Sequence, residues 1–320
     1  MTLLTEGSIP QLVEHPVQTI KAYSAAIADL NLQGYQLGKG HFNGHSKILS
    51  ADGFKLVIRS AETRHLQIGK VNHGYIAMIF PLKKLTYINN GKCLQEDSQI
   101  IRYNNAESKI ICPKGHKHLT LLLNSKKLAN YLNEDEMELF FNACKQLYQN
   151  KISVPRKLLL TEHLCHLYKT FKQLLEHPCS LLAYQDCYDS LFYAVNDYHL
   201  FHNKDNPVKI TNRERLLARA LDYIHHSDLQ TLTVSKLVKG THASSRSIQY
   251  CFSELLGITA KNYLIRIRLN AIHNELLQSS PTEKTITQVA NKFGVVNIGR
   301  FKQDYQNFFN ETPRETLKRV

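Results

Sequence analysis

The chain has 320 residues, of which 43% are hydrophobic, too many for one ordinary core and enough to fill two. Forty Lys and Arg against 27 Asp and Glu leave a formal charge of +13, and 17 of those bases with only nine acids lie between Val208 and Val320, so a polyanion is the natural partner of the last third. The seven cysteines are odd in number and form no CxxC pair, which argues against a disulfide scaffold or zinc ribbon.

The first twenty residues mix acids, prolines and a glycine without the basic region and apolar run of a signal peptide. No later stretch approaches the ~20 apolar residues of a membrane span. A cytoplasmic protein without membrane association is expected.

From about residue 38 to 124, short apolar or alternating runs are separated by turn chemistry. Phe54, Leu56 and Ile58 alternate with Lys55 and Arg59, while YIAMIF at 75–80 and HLTLLLN at 118–124 read as buried strands. Ala-Asp-Gly at 51–53, Asn-Asn-Gly at 89–91 and Pro-Lys-Gly at 113–115 supply the turns. An antiparallel β-barrel or sandwich follows, with Phe54, Ile58, Tyr75, Met78 and Phe80 as candidates to line its interior, as core or around a small molecule.

After Ser125 the period changes to about 3.6, with Met137, Phe140, Phe141, Cys144 and Leu147 on one run and Leu158, Leu164, Leu167, Phe171 and Leu174 on the next. A third helical run covers about 181–200. The helices at 134–149 and 156–177 are apolar enough to serve either a dimer interface or packing within the chain. HNKDNP at 202–207 reads as a linker, which divides the chain into residues 1–207 and 208–320.

The last third is all helical and repeats itself. LTVSKLVKGTHASSRSIQYCFSELLG at 232–257 and TITQVANKFGVVNIGRFKQDYQNFFN at 285–310 each read as a helix-turn-helix. Thr211 with Glu214 and Thr285 with Gln288 form capping boxes, and Thr233, Ser244 and Thr259 are placed as N-caps. Between the units a helix over about 260–278 carries Ile265, Leu269, Ile272 and Leu276 on one stripe.

The second helix of each unit is the candidate reader of DNA. In the first, Ile248, Cys251 and Phe252 face inward, leaving Ser244, Arg246, Gln249 and Tyr250. In the second, Phe301 and Tyr305 pack while Asn297, Arg300, Lys302 and Gln303 are presented. Arg, Asn and Gln can bond base edges in pairs, and Lys suits phosphate. On an isolated helix such a face is ordinarily just solvated; two capped units at matching spacing favour DNA contact for the set. Ala290 lies 52 residues after Val238 but Tyr305 lies 53 after Phe252, so the second unit holds one extra residue between turn and reading helix.

SSRSIQYCFSELLGITAKNYLIRIRLNAIHNELL followed by ITQVANKFGVVNIGRFKQDYQNFFNETPRETL resembles the double helix-turn-helix domain of the AraC/XylS transcription regulators, over roughly Val208 to Val320. GFKLVIRSAETRHLQ and YIAMIFPL resemble, more weakly, the cupin-like amino-terminal domains attached to some of them. The resemblance implies an α+β chain: a cupin-like antiparallel β-barrel, a helical region, and an all-α domain of two helix-turn-helix units joined by a linker helix. It also implies double-stranded promoter DNA and RNA polymerase as partners, a homodimer, and an amino-terminal domain that senses a small-molecule effector, dimerises, or both, in an activator or a repressor. Three positions depart from the family pattern: His242 stands for a turn glycine, Val238 for an alanine and Val295 for an aromatic.

Other chemistry is weaker. His116 and His118 form an HxH, but no acid follows in 119–124, so they read as strand-edge histidines. His163 and His166 in EHLCH read as a surface face. A zinc-thiolate methyl acceptor would need cysteines near the amino terminus, and the first is Cys93. No GxSxG, P-loop, GxGxxG or paired carboxylates occur, so no enzyme, metal site or cofactor is expected. The rivals are a cupin-type metal- or ligand-binding protein or enzyme with a basic interaction module, and a nucleoid-type binder without sequence preference.

Overall fold

The computed structural model describes residues 9–94, 100–103, 107–147, 154–177, 180–200, 210–280 and 284–319. Its amino-terminal part runs β1 (Gln11–Val17), α1 (Ile20–Ala25), β2 (Leu30–Gln36), β3 (Gly44–Ala51), β4 (Phe54–Ala61), β5 (His65–Val71), β6 (Tyr75–Pro81), β7 (Ile88–Asn89), β8 (Lys92–Cys93), β9 (Ile100–Tyr103), β10 (Glu107–Cys112) and β11 (His116–Asn124). Four helices follow: α2 (Ser125–Leu128), α3 (Glu134–Leu147), α4 (Val154–Glu176) and α5 (Leu181–Leu200). The remainder is α6 (Asn212–His225), α7 (Val234–Thr241), α8 (Ser245–Leu256), α9 (Ala260–Leu276), α10 (Ile286–Lys292), α11 (Ile298–Phe309) and α12 (Pro313–Leu317). The expected linker at 202–207 lies outside the described residues.

The strands form two antiparallel sheets, ordered β1-β3-β4-β11-β6-β9 and β2-β5-β10-β7-β8. Among the described residues no ladder joins the two, so the expected barrel is an open sandwich. It also begins before residue 38. β1 and β2 escape a hydrophobic-pattern reading because β1 is a polar edge strand carrying Pro16 at its end, and β2 alternates around Gly34.

Both outer faces of the sandwich are covered, which is why its central strands read as nearly continuous apolar runs. On one side Phe54, Leu56, Ile76, Met78, Phe80, Leu119, Leu121 and Leu123 pack against α2 to α5, through Leu164, Phe171, Tyr188 and Phe192 among others. Phe54, Met78 and Phe80 are therefore core as expected, but they face the helical layer rather than the space between the sheets. Ile58 packs at the margin of that layer and Tyr75 beside the inter-sheet cluster of Ile27, Leu30, Val57, Val71, Ala77 and Leu122.

The face between the sheets is unusually polar. Arg59, His65, Gln67, Arg102, Ser108, His116 and His118 are all buried there or beside it. His116 and His118 are thus not strand-edge residues: β11 lies between β4 and β6, and both imidazoles point into the interior, stacked with centroids 5.2 Å apart. The two histidines alternate onto one face of β11, and which face that is could not be told without the second sheet.

On the other side of the sandwich, Leu66, Ile68, Ile88 and Ile111 share one core with Leu216, Leu217, Leu221, Ile248, Phe252 and Tyr263 of the carboxy-terminal helices. Polar contacts fix this docking. β2 is an edge strand, and the outward backbone of Gln36 is satisfied by Asn270 of α9: Gln36 N donates to Asn270 Oδ1 at 2.7 Å, and Asn270 Nδ2 donates to Gln36 O at 2.8 Å. Arg64 donates to Leu256 O at 2.5 Å, Gly40 N to Phe308 O at 2.8 Å, and Cys93 N to Glu214 Oε1 at 2.8 Å. Buried Lys109 pairs with Asp222 at 2.7 Å.

Asn270→Ala removes both partners of a buried backbone edge and is expected to cost about 1–3 kcal/mol. A lowered urea midpoint for the full chain checks this; an unchanged midpoint would mean that the amide contributes nothing to docking.

Candidate nucleic-acid interface

The first unit is a three-helix core of α6, α7 and α8, and the second is built from α10, α11 and α12 on the far half of α9. Leu216, Leu221, Leu237, Ile248, Phe252, Leu256, Tyr263 and Ile267 close the first, and Leu269, Ile272, Leu276, Val289, Phe301, Tyr305 and Phe309 close the second. The linker helix α9 is therefore buried along more than one stripe, packing Tyr263, Leu264 and Ile267 into one unit and Leu269, Ile272 and Leu276 into the other. A polar chain inside the second core runs from His273 Nδ1 to Tyr305 Oη at 2.7 Å, on to Thr316 Oγ1 at 2.8 Å and then to Glu311 Oε1 at 2.6 Å. Burial there holds His273 down to about 4, in the neutral form.

Every expected cap is present. Thr211 and Glu214, and Thr285 and Gln288, form complete capping boxes; Thr233, Ser244 and Thr259 each accept from the backbone N–H three residues on. A third box, Thr312 with Glu315, starts the closing helix α12. Asn297 was read as a base-contacting side chain. It is the N-cap of α11, its Oδ1 accepting from Arg300 N at 2.9 Å, which commits its oxygen to the helix and leaves its amide NH₂ for other contacts. Ser244 caps α8 in the same way.

Most of the side chains expected to face outward on α8 and α11 are exposed. Arg246 and Tyr250 lie on the solvent side of α8, with the guanidinium 5.3 Å from the ring centroid and Nη2 3.3 Å from the hydroxyl; Gln249 is half-buried. On α11, Arg300, Lys302 and Gln303 are exposed, and Arg300 Nε lies 3.7 Å from Asp304. Counted from their caps, Ser247 stands where Arg300 does, Gln249 where Lys302 does and Tyr250 where Gln303 does. The two faces share no side chain at these offsets. Exposed Lys236, Lys239 and Lys261 surround the first unit.

The two turns differ in a way the sequence anticipated. His242, standing for a glycine, is left-handed at φ 51°, ψ 39°, and Gly294 takes φ 77° in the second turn. One residue, Ala243, separates His242 from its N-cap, whereas Val295 and Val296 separate Gly294 from Asn297. The extra residue leaves Val296 96% exposed beside the start of α11. It was not singled out from sequence, although its signal, the one-residue offset between the copies, was visible. His163, read as surface, is half-buried against Ser190 Oγ at 3.2 Å, while His166 is exposed.

A family model described as a helix-turn-helix domain matches residues 237–319. This chain carries a carboxy-terminal helix-turn-helix domain of the AraC type. The chain is 29% identical over 165 residues to the probable thc operon regulatory protein of Rhodococcus erythropolis, covering 51% of this chain and 48% of that one. It is 29% identical over 100 residues to the XylDLEGF operon transcriptional activator of Pseudomonas putida, covering 31% of each. The chain thus spans about half the length of the first and about a third of the second. Among solved structures it is similar to the AraC-like transcriptional activator CuxR, with a TM-score of 0.43, 12% identity and coverage of 88% of this chain and 100% of that one. It is similar also to ToxT from Vibrio cholerae O395, with a TM-score of 0.30, 13% identity and coverage of 91% and 98%.

The turns make opposite predictions. A Cβ on Gly294 would lie 2.2 Å from Gln230 O at positive φ, so Gly294→Ala should cost more than about 2 kcal/mol. His242→Gly relieves left-handed strain at the cost of chain entropy and should range from neutral to about 1 kcal/mol more stable. Thermal unfolding of the two variants checks the contrast; equal losses would sink it.

Proposed function

We propose that the chain is a sequence-specific DNA-binding transcription regulator that places α8 and α11 in successive major-groove segments. The observation that carries this reading is the pairing of two capped helices with exposed amino-terminal turns on one rigid support. Seventeen residues of α9 at ~1.5 Å each span ~26 Å, of the order of the ~34 Å helical repeat of DNA. The amino-terminal domain holds both reading helices at their carboxy-terminal ends, through Arg64 on Leu256 O and Gly40 on Phe308 O. Their amino-terminal turns are left free for the groove.

In this reading Arg246, Gln249, Tyr250, Arg300 and Gln303 select bases, Ser244 and Asn297 fix the helix starts, and Lys302 with the other lysines binds phosphate. Val296 is added as an apolar contact for a thymine methyl. Because the two faces differ at each offset, the site is asymmetric. The protein is non-catalytic and acts on promoter DNA in the cytoplasm as an activator that contacts RNA polymerase, the role printed for the Pseudomonas putida relative being activation. Self-association uses the helical layer, where Leu158, Leu159, Leu182 and Tyr193 are exposed. A cleft of about 380 Å³ beside Pro81, Tyr87, Lys157 and Thr161 has the size for a small-molecule effector.

Selection from a random duplex pool should return two different motifs about one helical turn apart. Arg300→Ala should then relax preference within one motif by about 1–3 kcal/mol, while Lys302→Ala weakens all sequences alike and lowers the salt slope by about 1. A uniform loss for Arg300→Ala would reassign it to phosphate, and a single motif would mean that only one helix reads.

A further inference from the structure

The polar interior of the sandwich holds a cluster that DNA binding does not use. His65 on β5 and Cys112 on β10 are cross-strand partners with side chains between the sheets. His116 enters from the other sheet, four residues after Cys112, where the Pro113-Lys114-Gly115 turn carries the chain from one sheet to the other. One nitrogen of each imidazole and the Cys112 sulfur all lie within 4.8 Å of one another, and all three residues are buried.

Backbone carbonyls behind the two rings decide which nitrogens face the cluster. His65 Nδ1 lies 2.9 Å from Thr63 O and His116 Nδ1 lies 3.2 Å from Pro113 O. A carbonyl only accepts, so both rings carry their proton on Nδ1 and keep the Nε2 lone pair free to bind. A backbone carbonyl behind each imidazole is the usual support of a metal-ligating histidine. His116 Nε2 accepts from Tyr23 Oη at 3.1 Å, whereas His65 Nε2, on a fully buried side chain, has no hydrogen-bond partner. Such an unsatisfied buried group destabilises the fold unless something else occupies it.

We propose that His65, Cys112 and His116 form a buried site for a thiophilic divalent cation of the zinc class, clamping the two sheets together. Two imidazoles and one thiolate suit zinc or cobalt and reject magnesium and calcium, which require oxygen donors. On binding, the Cys112 thiol loses its proton to solvent, and His116 exchanges its hydrogen bond from Tyr23 for a bond to the metal. The buried guanidinium of Arg59, 3.6 Å from the Tyr23 ring centroid, opposes a cation. The Cys112 thiolate offsets that by leaving the metal and its ligands with a net charge of +1. The site differs from the HxH pairing suggested by sequence: His118 stacks on His116 but is not in the ligand set. It is independent of the DNA-binding reading.

The test uses the full chain without a polyhistidine tag, stripped by chelator and titrated with Co²⁺ and then Zn²⁺. The expected result is one metal per chain with a thiolate-to-cobalt absorption band, lost in Cys112→Ser and retained in Cys144→Ser and His118→Gln. His65→Gln should weaken affinity by more than the roughly 10- to 100-fold typical of an outer-shell partner. X-ray absorption at the zinc edge of the unaltered protein reads the ligands without any variant, and should give one sulfur at ~2.3 Å and nitrogen at ~2.0–2.1 Å. Absence of stoichiometric metal, a sulfur-free shell, or binding lost in His118→Gln but kept in His65→Gln would each overturn the assignment.

Discussion

A side-chain amide on the linker helix stands at the centre of the contacts that dock the carboxy-terminal helices on the sandwich. Asn270 meets both the N–H and the C=O of Gln36, so α9 completes the open edge of the five-stranded sheet as another strand would. Because α9 is also the common wall of both helix-turn-helix cores, the sheet edge, the linker, α8 and α11 are packed as one unit. Arg64 and Gly40 extend the same contact to the last turns of α8 and α11, where carbonyls left without helical partners accept donors most readily. A change in the sandwich that moves β2 or the start of β5 is therefore felt at α8, α9 and α11.

The layering that follows has a cost and a use. Helices cover one face of the sandwich and the carboxy-terminal domain covers the other, so large apolar side chains are drawn outward to those two contacts. The space between the sheets is left to shorter apolar clusters and to buried polar groups. In a low-dielectric interior such groups must find partners, and the imidazoles and thiol at one end have few among the protein's own atoms. That imbalance, more than any motif, distinguishes this interior from an ordinary packed core.

The two helix-turn-helix copies are alike where they pack and different where they face solvent. Caps and buried residues follow one template, since each unit must close a small core against the same helix. The exposed faces and the turns are under no such constraint. His242 accepts a left-handed backbone in the open, whereas Gly294 is pressed against Gln230 O, and the extra residue of the second turn carries Val296 into solvent. Departures from the repeat thus mark the surface available to a partner.

The carboxy-terminal domain was largely legible in the sequence, because its determinants are local. Caps act over three residues, helix stripes repeat every three or four, and the repeat fixes what belongs on each face; Thr211, Ser244, Thr259 and Thr285 all stand as read. Strand content between 38 and 124 was legible for the same reason. Which face of each strand lies inward was not, because a period of two assigns residues to two sides without saying what covers either. Only the tertiary structure decided that Phe54, Met78 and Phe80 turn toward the helices, that His116 and His118 turn toward His65 and Cys112, and that Asn270 reaches Gln36 across 234 residues. Those contacts join segments distant in sequence, and no short-range pattern encodes them.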